Sequence, residues 1–240
     1  MSWIYRVSLV VSIVSLNACS SGSASLVVRG SSVSTATSLT RNQKIRGYAD
    51  EGPSIGSPSS TTMKMYALYI STQADCSSPT LVQDYGSDGV DKDVFESGVT
   101  LFEGSPADGD YQCLIIKMSD VIRFKADSEA VNAASSPCSE GTEYSLDIYR
   151  TDSGDSWKDV NGAAITPHGA SGSPEADTVY IFVSRNPSAI PSTTAHENQV
   201  GTLGSSLVVP GQATFYADGS HQVTNNDGSC GLNGLTLGFQ

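Results

Sequence analysis

The chain has 240 residues, with 13 Lys and Arg against 25 Asp and Glu and a formal net charge of −12. So acidic a chain lacks the basic footprint of a nucleic-acid binder, and no nucleic-acid partner is expected. Charged residues make up only 16% of it, so Ser, Thr, Asn and Gly must cover much of the surface, and the length allows one sizeable β domain or two small ones.

At the N-terminus, Arg6 precedes the apolar run Val7 to Leu16, and Asn17, Ala18 and Cys19 follow. A core of about ten residues matches a signal-peptide apolar region and is too short to span a bilayer, which takes about 20 apolar residues. Leu16-Asn17-Ala18-Cys19 resembles the bacterial lipobox, although Asn17 stands where a small residue is usual. This resemblance to bacterial lipoproteins covers residues 1–20 only. It implies cleavage between Ala18 and Cys19, a diacylglyceryl group on the Cys19 sulfur, and fatty acyl chains such as palmitate that make the membrane a partner. Two or three acyl chains anchor stably where one is marginal, each buried methylene contributing about 0.8 kcal/mol. Ser20 resembles the residues that permit sorting to the outer membrane, so a cell-envelope location at that membrane is expected, with the face left open.

Setting Cys19 aside leaves Cys76, Cys113, Cys138 and Cys230. An even number of cysteines in an oxidising compartment points to two disulfides, of which three connectivities are possible. If neighbouring strands run up and down, Cys76 and Cys113 share an end of the domain, which favours Cys76 with Cys113 and Cys138 with Cys230. No pair has the close spacing of zinc ligands.

Residues 19–62 are dominated by Ser, Thr and Gly, interrupted by Leu26-Val27-Val28. That composition buries too little apolar surface to offset its ordering entropy, so a disordered tether is expected there. The folded domain is expected over 63–240. Strand-like runs follow at Met63 to Ile70, Val94 to Phe102, Tyr111 to Met118, Val121 to Lys125, Tyr144 to Tyr149, Val179 to Val183, Leu207 to Val209, Ala213 to Tyr216 and Leu235 to Phe239. Turn clusters such as Tyr85-Gly86-Ser87-Asp88-Gly89 and Asn225-Asn226-Asp227-Gly228 separate them. Only Asp127 to Ala134 has helical composition. Short strands between turns predict an all-β, antiparallel β-sandwich of immunoglobulin-like or transthyretin-like kind. Gly109-Asp110-Tyr111, opening a strand, is similar to the Gly-x-Tyr turn of transthyretin-like sandwich modules.

The candidate sites are incomplete. His196-Glu197 begins like the zinc-protease helix motif, but Val200 stands where the second His is needed. Ser171, in Gly169-Ala170-Ser171-Gly172-Ser173, lacks the second Gly of a nucleophile elbow, and His168, His196 and His221 share no ligand spacing. The acidic stretch Asp84 to Asp93 offers oxygens for calcium, yet Phe95 falls where an EF-hand places its Glu. Tyr66, Tyr149 and Trp157 could form a sugar-stacking face if exposed. No metal site or cofactor is assigned. The expected role is a non-enzymatic structural, binding or surface-interaction module with a possible protein or carbohydrate partner. A cell-envelope hydrolase, or a calcium-dependent binding protein, with a site built from distant loops is the alternative.

Overall fold

A computed structural model describes residues 26–32, 44–45, 52–96, 100–148, 157–165, 178–195, 199–203, 206–219, 221–232 and 235–239. The fold is all-β, as expected of a sandwich. Its strands are β1 (Leu26–Ser32), β2 (Lys44–Ile45), β3 (Ser54–Gly56), β4 (Pro58–Ser71), β5 (Thr80–Asp84), β6 (Val90–Asp93), β7 (Thr100–Gly104), β8 (Gly109–Tyr111) and β9 (Cys113–Ala126). After the short helix α1 (Ser128–Asn132) come β10 (Glu143–Asp147), β11 (Thr178–Ser184), β12 (Val200–Thr202), β13 (Leu207–Val209), β14 (Gly211–Asp218), β15 (Val223–Asn226), β16 (Ser229–Leu232) and β17 (Leu235–Phe239).

The larger sheet has seven strands, running β12-β11-β9-β4-β5, with β10 beside β9 and β6 beside β4. Its spine is the antiparallel pair β4 and β9, 14 residues each. Alternation along both strands sends Met63, Met65, Leu68 and Ile70 of β4, and Leu114, Ile116, Met118, Ile122 and Phe124 of β9, into one core with Val179, Ile181 and Val183 of β11 and Phe102 of β7. Burying each such side chain contributes about 1.5–3 kcal/mol. The runs Tyr111 to Met118 and Val121 to Lys125, expected as separate strands, belong mostly to the single strand β9. They are joined through a bulge, because Met63 and Met65 of β4 face Ile122 and Met118 of β9. Two extra residues of β9 are absorbed there, the Ser119 hydroxyl accepting the Val121 N–H at 3.2 Å. The bulge is also where β9 changes neighbour, from β11 up to Ser119 to β10 from Val121 onward.

The second sheet has five strands in the order β2-β17-β14-β1-β7. Here the structure corrects the expected tether over 19–62. Leu26–Ser32 lies between β14, to which it is parallel, and β7, to which it is antiparallel. Further on, β3 pairs β15, and β4 pairs β9 from Pro58, before the expected start at Met63. Composition misled because it counts only what a segment buries by itself. Leu26-Val27-Val28 finds its backbone partners near residues 102–104 and 211–213, far along the chain. The two parallel pairs, β1 with β14 and β11 with β12, also make the sheets mixed rather than purely antiparallel. The expected strand Val94 to Phe102 divides: Val94 ends the β6 ladder, its N–H donating to the Thr61 carbonyl at 2.8 Å, the chain turns at Asp93 to Glu96, and β7 begins only at Thr100.

The two large sheets meet where β7 lies against β5. A Cβ on Gly104 would fall 2.6 Å from the Val82 carbonyl oxygen, so this approach needs glycine. The ribbon β8–β13 closes one end of the body, with Tyr111, Leu207 and Val209 buried and Asp110 and Val208 exposed. It leads directly from β7 and into β14 of one sheet and, through Gln112, into β9 of the other. At the opposite end the three-stranded sheet β16-β15-β3 sits with α1.

Both disulfides join the pairs favoured by the up-and-down argument. Cys76 bonds Cys113, and Cys138 bonds Cys230, at Cα separations of 5.3 and 4.9 Å. The first lies in a small cluster with Ile115, Phe182, Ala195 and Val200 on the outer face of the seven-stranded sheet. The second fastens β16 to the segment after α1, where the Asn225 side-chain amide also donates to the Ser135 carbonyl at 2.8 Å. The expected signal-peptide segment 1–18, Cys19, Tyr149, His168, Ser171 and His196 lie outside the described residues.

Candidate functional site

A groove of about 540 Å³ opens where the end of β9 meets α1 and the turn at residues 139–141. Asp127 builds it. One carboxylate oxygen accepts the Ala130 N–H at 2.8 Å and so caps α1, and the other accepts the Ser57 N–H at 3.2 Å. This cap explains why the stretch with helical composition forms a helix where it does. On the groove's other side the Ser59 hydroxyl donates to the Ala126 carbonyl at 3.1 Å. Those bonds fix the walls, and the rest of the lining is the Lys125 ammonium, the Glu140 carboxylate, the Ser128 hydroxyl and the Asn132 amide, whose nitrogen donates to the Ser128 carbonyl at 2.7 Å, beside apolar Ala126 and Val131. Among the described residues, no ion pair engages Lys125 or Glu140. One cation, one anion and several hydroxyl or amide groups beside an apolar patch suit a small polar ligand, for which such pockets supply orientation more than binding area.

A second feature is the outer face of the seven-stranded sheet, where the rings of Tyr69 and Tyr180 lie 6.5 Å apart. Burial, then the neighbouring Tyr69 and the Asp159 carboxylate, pushes the Tyr180 phenol up to about 12. Burial, then Asp84 and Asp159, likewise raises Tyr69. Both phenols are therefore neutral donors at physiological pH. Buried Gln199 holds the segment beside them, accepting the Lys158 N–H at 2.6 Å and donating to the carbonyls of Lys158 and Tyr180 at 2.7 and 2.8 Å.

The aromatic face expected from Tyr66 and Trp157 is not assembled, because their exposures are 2% and 3%. Tyr66 is covered by the Gly89 turn and has the Lys117 ammonium 5.8 Å from its ring centroid. In the acidic stretch Asp84 to Asp93, three carboxylates are engaged in holding the fold. Asp84 accepts the Gly86 N–H at 2.8 Å, Asp91 pairs with Arg123 at 2.6 Å, and one oxygen of Asp93 accepts the N–H groups of Thr61 and Phe95 at 3.2 and 2.9 Å. Among the described residues, no three His, Cys, Asp or Glu side chains gather as metal ligands. His221 is exposed at a turn; its backbone N–H donates to the Ser57 hydroxyl at 3.0 Å and its carbonyl accepts from Ser54 at 2.7 Å.

Sequence reading missed Lys125 and Glu140. They carry no motif, since the groove is assembled from β4, β9, α1 and a turn; only the Asp127 cap had a local signal. Comparison with protein families, with curated proteins and with solved structures finds no match to the chain.

Proposed function

We propose that the protein is a lipid-anchored binding module of the bacterial cell envelope, tethered through Cys19 and non-enzymatic. The observation that carries this reading is the sequence Leu16-Asn17-Ala18-Cys19 placed directly after an apolar core of signal-peptide length. Two disulfides in the folded body support it, because such bonds persist in oxidising compartments outside the cytoplasm. A binding role draws support from the groove, which offers Lys125 and Glu140 to one ligand. Its mixture of hydroxyl, amide, ammonium and carboxylate groups beside Val131 fits an oligosaccharide or a polar peptide segment.

The anchor is tested by replacing Cys19 with Ser. Acyl labelling and membrane fractionation should both lose the protein, and an unchanged pattern would sink the lipoprotein reading. The groove is tested by chemical-shift mapping with neutral and acidic oligosaccharides and short polar peptides. Shifts should concentrate at residues 125–141 and vanish in Val131→Glu; shifts only elsewhere would remove the groove from the reading.

A further inference from the structure

We propose that the protein stands on the membrane with the β8–β13 ribbon toward the lipid head groups and the Lys125/Glu140 groove pointing away from them. This orientation rests on the anchor reading of Cys19. Only seven positions lead from Cys19 to Leu26, the first residue of β1. Even fully extended, they span at most about 25 Å.

Leu26 lies at one end of the body. It is paired with Gly104 on one side and Gly211 on the other. The ribbon adjoins both, since β8 follows β7 after a short turn and β13 ends just before Gly211. The anchor therefore draws this end toward the bilayer. On its outward face Val208 is 59% exposed, and its cross-strand partner is Asp110. An apolar side chain beside a carboxylate suits the head-group layer rather than the hydrocarbon core, where a charged Asp is disfavoured.

The groove sits at the far end of β9, next to Ala126. A 14-residue strand is about 45 Å long. Turning the groove onto the lipid would lift Leu26 by about that length, beyond the reach of the seven residues that hold it. The linker thus forbids the inverted posture and leaves the groove open to a partner approaching from the aqueous side.

The test uses the mature acylated protein on vesicles of phosphatidylethanolamine and phosphatidylglycerol containing phosphatidylcholine spin-labelled at its head group. Val208→Trp and Glu140→Trp each change an exposed position, and buried Trp157 gives both the same background. Loss of the added emission in Val208→Trp, with none in Glu140→Trp, is the expected result. Equal loss in the two variants, or loss confined to Glu140→Trp, overturns the orientation and leaves the anchor standing. If Cys19→Ser binds the vesicles as well as the acylated protein does, the anchor reading fails and the orientation falls with it.

Discussion

Removing either disulfide should cost several kcal/mol, and removing both should cost the sum. In the unfolded chain, Cys76–Cys113 closes a loop of 37 residues and Cys138–Cys230 one of 92. The loop-entropy relation converts these lengths to about 3.8 and about 4.6 kcal/mol at 25 °C, upper values because residual structure in the unfolded chain reduces them. The loops lie side by side in sequence and neither encloses the other, so each restrains a different part of the unfolded ensemble. Folded-state packing then narrows the gap between them. Cys76 and Cys113 are buried with Ile115 and Phe182, so C76A/C113A also leaves a gap worth about 1 kcal/mol. Cys230 is only partly buried, and C138A/C230A adds little beyond the loop. Each double variant should therefore lose about 4 kcal/mol and the quadruple about 8, enough to unfold a domain of ordinary stability. Guanidinium unfolding followed by circular dichroism measures this. The slope against denaturant should rise in each double variant, because an unlinked unfolded chain exposes more surface. Losses below about 1 kcal/mol with unchanged slopes would refute the loop argument, and a quadruple variant no worse than one double would refute independence.

Three further outcomes follow from single sites. Gln199→Leu should cost about 1–3 kcal/mol and expose residues 157–165 to faster amide exchange, since it removes the bonds from buried Gln199 to the part-buried Lys158 and Tyr180 backbone; unchanged exchange there would show that Gln199 is no clip. Gly56→Ala puts a Cβ 2.5 Å from the Ala130 backbone nitrogen, so α1 must shift at a cost of about 1–3 kcal/mol; a melting temperature equal to wild type would contradict that crowding. The raised Tyr180 phenol favours the folded state fully below pH 10, and this contribution is lost as pH climbs toward about 12 because the unfolded chain ionises first. Tyr180→Phe should therefore flatten the alkaline limb of a stability profile without altering its neutral plateau, and an equally steep limb would argue against the shift.

The elements legible in the sequence were those whose signal is local. The apolar run Val179 to Val183, the run Tyr144 to Tyr149, and the helical composition of Asp127 to Ala134 all report on their own few residues, and each lies in or beside an element of the fold. What escaped depends on distant partners. The strand β1 is poor in apolar residues beyond Val28 and becomes a strand because two edges receive it. The Val94 to Phe102 run looked continuous, yet the turn closed by the Asp93 carbonyl and carboxylate breaks it. Tyr66 looked available for a ligand because composition cannot register the Gly89 turn lying on its ring. The disulfide pairing was only favoured, not fixed, because it rested on an assumed up-and-down strand order that left three connectivities open.

The parallel pairing of β1 with β14 also sets an order of events. A chain made from its N-terminus produces Leu26 early, but Gly211, its register partner, opens the last eighth of the 240 residues. Until then the place between β7 and β14 has only one side, and β1 carries an unpaired edge. Contacts this remote in sequence form slowly, and unpaired edges invite other chains. Completion of the five-stranded sheet is thus a late step, and the interval before it is when the chain most needs a holding factor.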